Sequence, residues 1–325
     1  MPDSIRRRAR DERDAAAPRG RRSVGDGSDG VIFRKGFASL TELALSGVQV
    51  TASVVDLESG RVLFSVDDHL SVPTASIGKV LLLIEVAARI SARDGRSREA
   101  GREGTSPRTA RAAPGAEALS ILNRTAQDSV ADSGLWQHLQ VPALPLADLA
   151  ALIGATSDNL ATNVLLRRIG LDAVRARAES LGLRRTLLLD IVREVRGPDD
   201  APQLSVGSAR ELAGLFRRLQ RGEIVDATTS ELVVGWLGLG TDLSMVAGAF
   251  GLDPLAHLGE DHGITLFNKT GTDAGIRSEA GVVQGPRAGV SYAVTMRFND
   301  STLPGRLAVL DGMRTLGTDL LEYIF

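Results

Sequence analysis

Alternating apolar and polar positions near both ends of the chain predict β-strands. Residues 48–56 are rich in β-branched side chains, and a Gly-containing turn separates them from a second apolar stretch at residues 61–66. This pattern is typical of an antiparallel hairpin. Near the other end, strands are predicted at residues 264–269, 279–284 and 290–298.

Helical patterns fill the segment between these two groups of strands. Residues 76–90 are almost purely apolar, which is typical of a buried, central helix. Ser208 is a good N-cap for the amphipathic stretch at residues 208–219, and residues 187–203 form an irregular stretch. The remaining predicted helices are 40–45, 116–124, 146–154, 159–169, 171–181, 227–238 and 307–325.

This order of elements predicts an α+β fold. We expect a five-stranded antiparallel sheet built from both chain ends and packed with helices, with an all-helical lobe inserted. The sheet lobe should take residues 38–75 and 245–325, and the helical lobe residues 76–244. The Arg-rich residues 1–37 predict a disordered tail, and residues 91–114 a flexible surface insertion.

Composition excludes several classes of protein. The chain has 325 residues, 43% of them hydrophobic, which is ample for a large core. A net charge of −2 and an aromatic content of 4% argue against a nucleic-acid partner. The absence of cysteine excludes disulfides, a thiolate zinc site and a cysteine nucleophile.

The sequence predicts neither a membrane span nor a signal peptide. No stretch reaches the roughly 18 apolar residues that a transmembrane helix requires. The Arg-rich stretch from Met1 to Arg22 is not followed by an apolar core. As printed, the sequence therefore favours a location in the cytoplasm.

Lysine is rare, because only Lys35, Lys79 and Lys269 occur in the chain. Arginine supplies every other basic side chain. Arginine stays protonated in proteins, whereas a buried lysine can lose its proton and act as a base. A lysine in this chain can therefore mark a position where arginine would fail.

The segment Ser76-Ile-Gly-Lys79 opens the predicted buried helix. Residues three apart share a helix face, so the hydroxyl and the amine should be neighbours. Desolvation lowers the pKa of an amine inside an apolar helix, and the helix N-terminus favours negative charge at the serine. These features suit an activated nucleophile. Taken alone, the motif is weak evidence and favours a lysine that extends from the core to solvent.

Two further motifs follow. Ser157-Asp158-Asn159 precedes a helix, where all three residue types are also good N-caps. Lys269-Thr270-Gly271 ends a predicted strand, where glycine also suits a simple turn.

Together, these three motifs resemble the signature set of class A β-lactamases and penicillin-binding proteins. They occur in the family's order and on the expected helix start, inter-helix turn and strand edge. The hairpin before Ser76, the helix after Asn159 and the closing helix fit as well, so the resemblance covers roughly residues 38–325. Enzymes of this family are normally exported.

The resemblance implies a role in acylation for three of these residues. Ser76 would attack the carbonyl of a β-lactam or peptide-like substrate, and Lys79 would take or relay its proton. Ser157 would pass a proton to the leaving nitrogen. The backbone N–H groups of Ser76 and Thr272 would form the oxyanion hole.

The resemblance also implies substrate-binding roles. Asn159 would hold a side-chain amide of the substrate and orient Lys79. Lys269 and Thr270 would bind the substrate carboxylate. Arg277 matches an arginine that many class A enzymes direct at this carboxylate, although a surface strand arginine is an equal alternative.

The sequence departs from the family at the residue that activates the deacylating water. Class A enzymes carry this Glu in an irregular loop, within a Glu-Pro pattern. Here Glu194 is the only Glu in residues 189–200, and Val195 follows it. If the preceding Leu-Asp pair is aligned through Asp190, Arg193 takes the Glu position. Glu194 is therefore the candidate deacylation base, Asp190 is a weaker one, and a solvated surface Glu is the alternative.

The sequence thus predicts a serine hydrolase that acts on a small-molecule or peptide-like substrate, most simply the β-lactam amide. The alternatives are a D-Ala-D-Ala peptidase or small-ester hydrolase on the same fold, and a non-catalytic binding protein. The paired nucleophile and base argue against the last of these. We expect a monomer without metal or cofactor, and the four histidines show no spacing that suggests a zinc site. Ser-His-Asp catalysis is disfavoured, because no Gly-x-Ser-x-Gly elbow surrounds a candidate serine.

Overall fold

The computed structural model describes residues 33–101, 116–257 and 263–325, with the backbone alone for residues 93–101. The described strands are β1 (Gln49–Asp56), β2 (Val62–Val66), β3 (Val72–Pro73), β4 (Ile121–Asn123), β5 (Ala143–Pro145), β6 (Leu187–Leu188), β7 (Ser205–Gly207), β8 (Thr265–Asp273), β9 (Ile276–Gln284) and β10 (Gly289–Arg297). The α-helices are α1 (Arg34–Leu45), α2 (Lys79–Gly101), α3 (Leu146–Thr156), α4 (Asn159–Ile169), α5 (Leu171–Ser180), α6 (Ala209–Gln220), α7 (Ala227–Leu237) and α8 (Leu303–Ile324).

The predicted five-stranded antiparallel sheet is confirmed. Its strand order is β2-β1-β10-β9-β8, so the N-terminal hairpin pairs with the last strand of the chain. Strand β8 lies at one edge of the sheet and pairs only with β9 within it. Half of its backbone polar groups therefore face away from β9 and remain available to other partners.

Two hydrophobic cores cover the two faces of this sheet. Ala293 of β10 belongs to the core that surrounds α2 and α6. Its neighbours Tyr292 and Val294 point the other way, into the core formed with α1 and α8. Such alternation follows from the side-chain geometry of a strand. The side chains of α2 are buried on all sides over its first three turns, as its apolar sequence predicts.

The segment between the two groups of strands is mainly helical but also contains two small sheets, β3-β7-β6 and β4-β5. The helix predicted at residues 116–124 is wrong, because this stretch forms a turn followed by β4. In this conformation its backbone carbonyls bond to another element. The carbonyls of Ala118 and Ser120 accept from Ala147 and Leu146, the first N–H groups of α3.

Two predicted boundaries also need correction. The predicted tail extended to residue 37, yet Phe33 is buried against Phe64 and Tyr323 and α1 begins at Arg34. The rest of the tail, residues 1–32, lies outside the described residues. Helix α2 continues to Gly101, so the first part of the predicted insertion at residues 91–114 is helical. Residues 102–114 lie outside the description.

Other predicted helices agree closely with the structure. Helix α4 has the predicted bounds, and Ser208 caps α6 by accepting from the Glu211 N–H. Across residues 33–101, 116–257 and 263–325, no helix is both long and apolar enough to cross a membrane.

Candidate active site

The first motif lies at the start of the central helix. Ser76 belongs to a 3₁₀-helix, Ala75–Gly78, which runs directly into α2 at Lys79. In this tight winding, residues three apart lie on the same side. Ser76 is partly exposed on a cavity wall, whereas Lys79 is completely buried. The burial contradicts the alternative of a lysine that extends to solvent.

The amine of Lys79 is held by the Ser157-Asp158-Asn159 turn. Its Nζ lies 2.5 Å from the carbonyl oxygen of Ser157, 2.7 Å from Oδ1 of Asn159 and 3.2 Å from Oγ of Ser157. The first two oxygens can only accept, and they match the two N–H groups of a neutral amine. The lone pair of that amine is then left for a hydroxyl hydrogen.

Electrostatics favour the neutral amine. Burial lowers the pKa of Lys79 well below its usual value, and the positive charge of Lys269 lowers it further. The negative charges of Asp158 and Asp132 oppose this shift in part. A lowered pKa raises the fraction of the Lys79 amine that is neutral and able to accept a proton from a neighbouring hydroxyl.

The residues of the Ser157-Asp158-Asn159 motif have different roles. Ser157 ends α3 with a left-handed backbone (φ 57°), and Asp158 is the N-cap of α4. The Asp158 carboxylate accepts from Ala161 N–H and, on its other oxygen, from the N–H groups of Leu135 and Trp136. The N-cap interpretation is therefore correct for Asp158, while its two neighbours contact Lys79.

The third motif lies on the edge strand β8. A Cβ atom on Gly271 would lie 2.3 Å from the carbonyl oxygen of Thr74 and 3.1 Å from the backbone N of Ser76. Only glycine allows the strand to approach the nucleophile this closely. Burial lowers the pKa of Lys269 to about 8 despite the opposing charge of Asp242, so this lysine is mostly protonated at neutral pH.

One cavity of about 470 Å³ joins the three motifs. Seven of the predicted site residues line it: Ser76, Ser157, Asn159, Glu194, Lys269, Thr270 and Thr272. Lys79 lies behind them, bonded to the second motif. The cavity is large enough for a small bicyclic or peptide-like molecule.

Arg277 lies outside the lining of this cavity. It stands opposite Thr272 in the β8-β9 register. Its guanidinium donates to the carbonyls of Asp273 and Ile276 and lies over the ring of Phe298.

The loop that carries Glu194 is built around Asp190. This carboxylate accepts from Arg193, Arg196 and its neighbour Ile191 N–H. Burial raises its pKa, but these hydrogen bonds outweigh burial and hold the pKa of Asp190 below its usual value. The loop thus uses Asp190 as its internal anchor.

Glu194 is exposed at the rim of the cavity, and one of its carboxylate oxygens accepts from Ala131 N–H. Asn163, to which the sequence assigned no role of its own, fixes the preceding residues. Its side-chain amide accepts from Val192 N–H at 2.9 Å and donates to Val192 carbonyl at 3.0 Å. The only sequence signal for this clamp is its place on α4, one turn after Asn159.

Comparisons with known proteins agree with this architecture. A sequence profile of the beta-lactamase enzyme family matches residues 37–324. No curated protein matches the chain. Among solved structures, a beta-lactamase from Sphaerobacter thermophilus DSM 20745 is 22% identical, with a TM-score of 0.70 over 90% of this chain and 97% of its own.

Two further solved structures share the fold. A beta-lactamase from Xanthomonas campestris pv. campestris is 17% identical, with a TM-score of 0.67 over 89% of this chain and 98% of its own. A mutant of PBP-A, in an acyl-enzyme complex with penicillin G, is 17% identical, with a TM-score of 0.67 over 89% of this chain and 95% of its own.

Proposed function

The chain belongs to the beta-lactamase enzyme family, and we propose that it is a serine hydrolase that forms its acyl-enzyme at Ser76 and cleaves the β-lactam amide. One observation carries this proposal above the others. A fully buried Lys79, one turn after Ser76, bonds to both Ser157 and Asn159 around a single cavity. Binding alone requires no such desolvated base beside a hydroxyl.

In the proposed acylation, Oγ of Ser76 attacks the carbonyl carbon of the substrate and transfers its proton to neutral Lys79. The N–H groups of Ser76 and Thr272 stabilise the oxyanion that forms. The carbon–nitrogen bond then breaks, and Ser157 gives its proton to the leaving nitrogen. Lys79 restores the proton of Ser157, to which it lies within 3.2 Å. Every proton that leaves a hydroxyl is thus accounted for.

Substrate binding would use further residues that line the same cavity. Lys269 keeps a positive charge at neutral pH, since its pKa is about 8, and it would attract the carboxylate of a penicillin. Thr270, the next residue, would donate to the same carboxylate, and Asn159 would hold the side-chain amide. Arg277 is a further candidate for this carboxylate, although it does not line the cavity and its Nη1 already donates to the carbonyls of Asp273 and Ile276.

Hydrolysis of the acyl-enzyme needs a base that can activate water. Glu194 is the carboxylate that we assign to this step, because it lies on the rim of the same cavity and follows the segment clamped by Asn163. Its bond to Ala131 N–H occupies one carboxylate oxygen and leaves the other for water.

The same bond favours a second candidate function. A carboxylate held by Ala131 at an exposed rim is poorly placed for fast deacylation. A protein that acylates well but deacylates slowly behaves as a penicillin-binding protein, with a D-Ala-D-Ala peptide or a small ester as its substrate. The mutant of PBP-A captured as an acyl-enzyme with penicillin G shares this fold.

A time course with a labelled penicillin tests the proposal. The protein is mixed with the label, samples are denatured at intervals, and the covalently bound label is measured together with the hydrolysed drug. Label that forms and is lost within seconds supports a β-lactamase. Label that persists supports the penicillin-binding alternative. If neither covalent label nor hydrolysed drug appears with penicillins or cephalosporins, the proposed acylation is wrong.

A further inference from the structure

The residue directly before the nucleophile has a strained backbone. Ala75 is buried and adopts φ +48°, in the left-handed region that residues with a Cβ atom rarely occupy. Such a conformation persists only where its surroundings enforce it. Ala75 immediately precedes Ser76, so whatever enforces this conformation also acts on the nucleophile.

A chain of hydroxyl groups holds Ala75 in place. Oγ of Ser205 donates to the carbonyl oxygen of Ala75 at 2.6 Å, and it lies 2.8 Å from Oγ1 of Thr74. A hydroxyl has one hydrogen, and a carbonyl can only accept. The Ser205 hydroxyl therefore donates its only hydrogen to the Ala75 carbonyl. In the bond between the two hydroxyls, Thr74 must then be the donor and Ser205 the acceptor. Both hydroxyl residues are at most 1% exposed, so no bulk water replaces these bonds.

Close packing of strand β7 fixes Ser205 against the nucleophile turn. A Cβ atom on Gly78 would lie 2.3 Å from the Cβ of Ser205, so glycine is needed for this contact. Thr74 N–H also donates to the Ser205 carbonyl, at 3.2 Å. Ser205 thus forms hydrogen bonds, through its side chain and its backbone, with Thr74 and Ala75, the two residues that precede Ser76.

We propose that Ser205 is a positioning residue for the oxyanion hole, an inference that rests on the function proposed above. The Ala75 carbonyl and the Ser76 N–H belong to one planar peptide unit. The bond from Ser205 therefore fixes the direction of the N–H group that stabilises the oxyanion. When the bond is absent, Ala75 can relax from its strained φ, and the peptide unit rotates with it.

The test compares Ser205→Ala with Ser208→Ala. Both serines are buried, and both hydroxyls bond to backbone, but Ser208 serves only as the N-cap of α6. We expect Ser205→Ala to lower the second-order acylation constant by about 10- to 100-fold, with the loss in the acylation step and little change in substrate affinity. Ser208→Ala should lower the melting temperature and leave the acylation constant of the folded protein unchanged.

A double-mutant cycle with Ala75→Gly gives a readout that a merely structural role would not move. Glycine adopts φ +48° without strain, so the loss caused by Ser205→Ala should be smaller in the Ala75→Gly background. Losses that simply multiply would overturn the proposal. So would a folded Ser205→Ala protein that acylates at the wild-type rate, or an equal loss in Ser208→Ala.

The role of Ser205 can still be tested if Ser205→Ala does not fold or if the protein does not react with β-lactams. If Ser205→Ala does not fold, Ser205→Cys carries the test, because a thiol is only a weak donor to the Ala75 carbonyl. A folded Ser205→Cys protein with the wild-type acylation constant would then contradict the proposal. If the wild-type protein neither forms an adduct with any β-lactam nor hydrolyses one, the proposed function has failed. The rate at which a fluorophosphonate labels Ser76 in the same variants then decides the role of Ser205 independently.

Discussion

Nζ of Lys79 lies 2.7 Å from Oδ1 of Asn159, in a place where the lysine side chain is completely buried. With the carbonyl of Ser157 at 2.5 Å, the amine is enclosed by oxygen atoms that accept hydrogen bonds. This enclosure places the amine at the centre of the three motifs. Lys79 could support acylation through its positive charge or through its ability to act as a base, and substitutions can tell these two roles apart.

Lys79→Arg should be nearly as damaging as Lys79→Ala. Arginine keeps the positive charge but cannot act as a base. We expect both variants to lower the acylation constant by about 10²- to 10⁴-fold, the usual range for loss of a general base. The measurement is covalent labelling by penicillin, with circular dichroism to confirm the fold. An Arg variant that acylates well would show that only the charge matters.

The pH dependence of kcat/KM should be bell-shaped. Acylation needs neutral Lys79, whose pKa is lowered, and protonated Lys269, whose pKa is about 8. Activity should therefore fall as pH drops through the pKa of Lys79 and as it rises through about 8. Lys269→Arg keeps its charge at these pH values and should abolish the alkaline limb. An alkaline limb that persists in this variant would assign it to another group.

Lys269 should cost stability as well as support activity. Its pKa is about 8 in the folded protein and 10.5 without burial, a difference that corresponds to about 3 kcal/mol. Since the folded state disfavours the charged lysine, the penalty is full below about pH 8 and disappears as pH rises toward 10.5.

Lys269→Met should therefore raise the free energy of unfolding at pH 7 by as much as about 3 kcal/mol and abolish substrate turnover. The gain should shrink as pH rises. Lys35→Met is the control, because Lys35 is exposed on α1 and should give no gain. Urea denaturation at two pH values measures the effect. A destabilised Lys269→Met protein would contradict the penalty.

Glu194→Gln should acylate at the wild-type rate and then accumulate the acyl-enzyme, with deacylation slower by about 100-fold or more. Gln keeps an oxygen that can accept from Ala131 N–H, so the rim of the cavity should stay in place. Glu179→Gln, an exposed change on α5, is the matched control. Pre-steady-state kinetics separate the two steps. Unchanged turnover in Glu194→Gln would leave Glu194 with only its structural bond to Ala131.

Much of this architecture follows from the sequence. The strand patterns at both ends predicted the sheet, and the capping residue Ser208 predicted the start of α6. The helix at residues 116–124 could not be ruled out from local pattern, because carbonyls in this stretch are used by the first turn of α3. The start of α1 was missed because Phe33 is buried by Phe64 and Tyr323, which are distant in the chain.

In the candidate site, too, local sequence predicted some residues, while others depend on contacts between distant parts of the chain. Motif residue types and spacing led to Ser76, Lys79 and Ser157 without any structure. Ser205 and Asn163 could not be found in this way. Each acts through a hydrogen bond to the backbone of a residue that is distant in the chain, which leaves no signature in local sequence.

The most direct test of the account is to locate the acyl group itself. Wild-type protein and Ser76→Ala are incubated with benzylpenicillin, quenched in acid, digested and analysed by tandem mass spectrometry. Alanine is a good helix former, so the variant should fold normally. We expect the penicilloyl adduct on Ser76 of the wild-type protein and none on the variant. An adduct that forms equally on Ser76→Ala, or that maps to another residue, would contradict the assignment of the nucleophile.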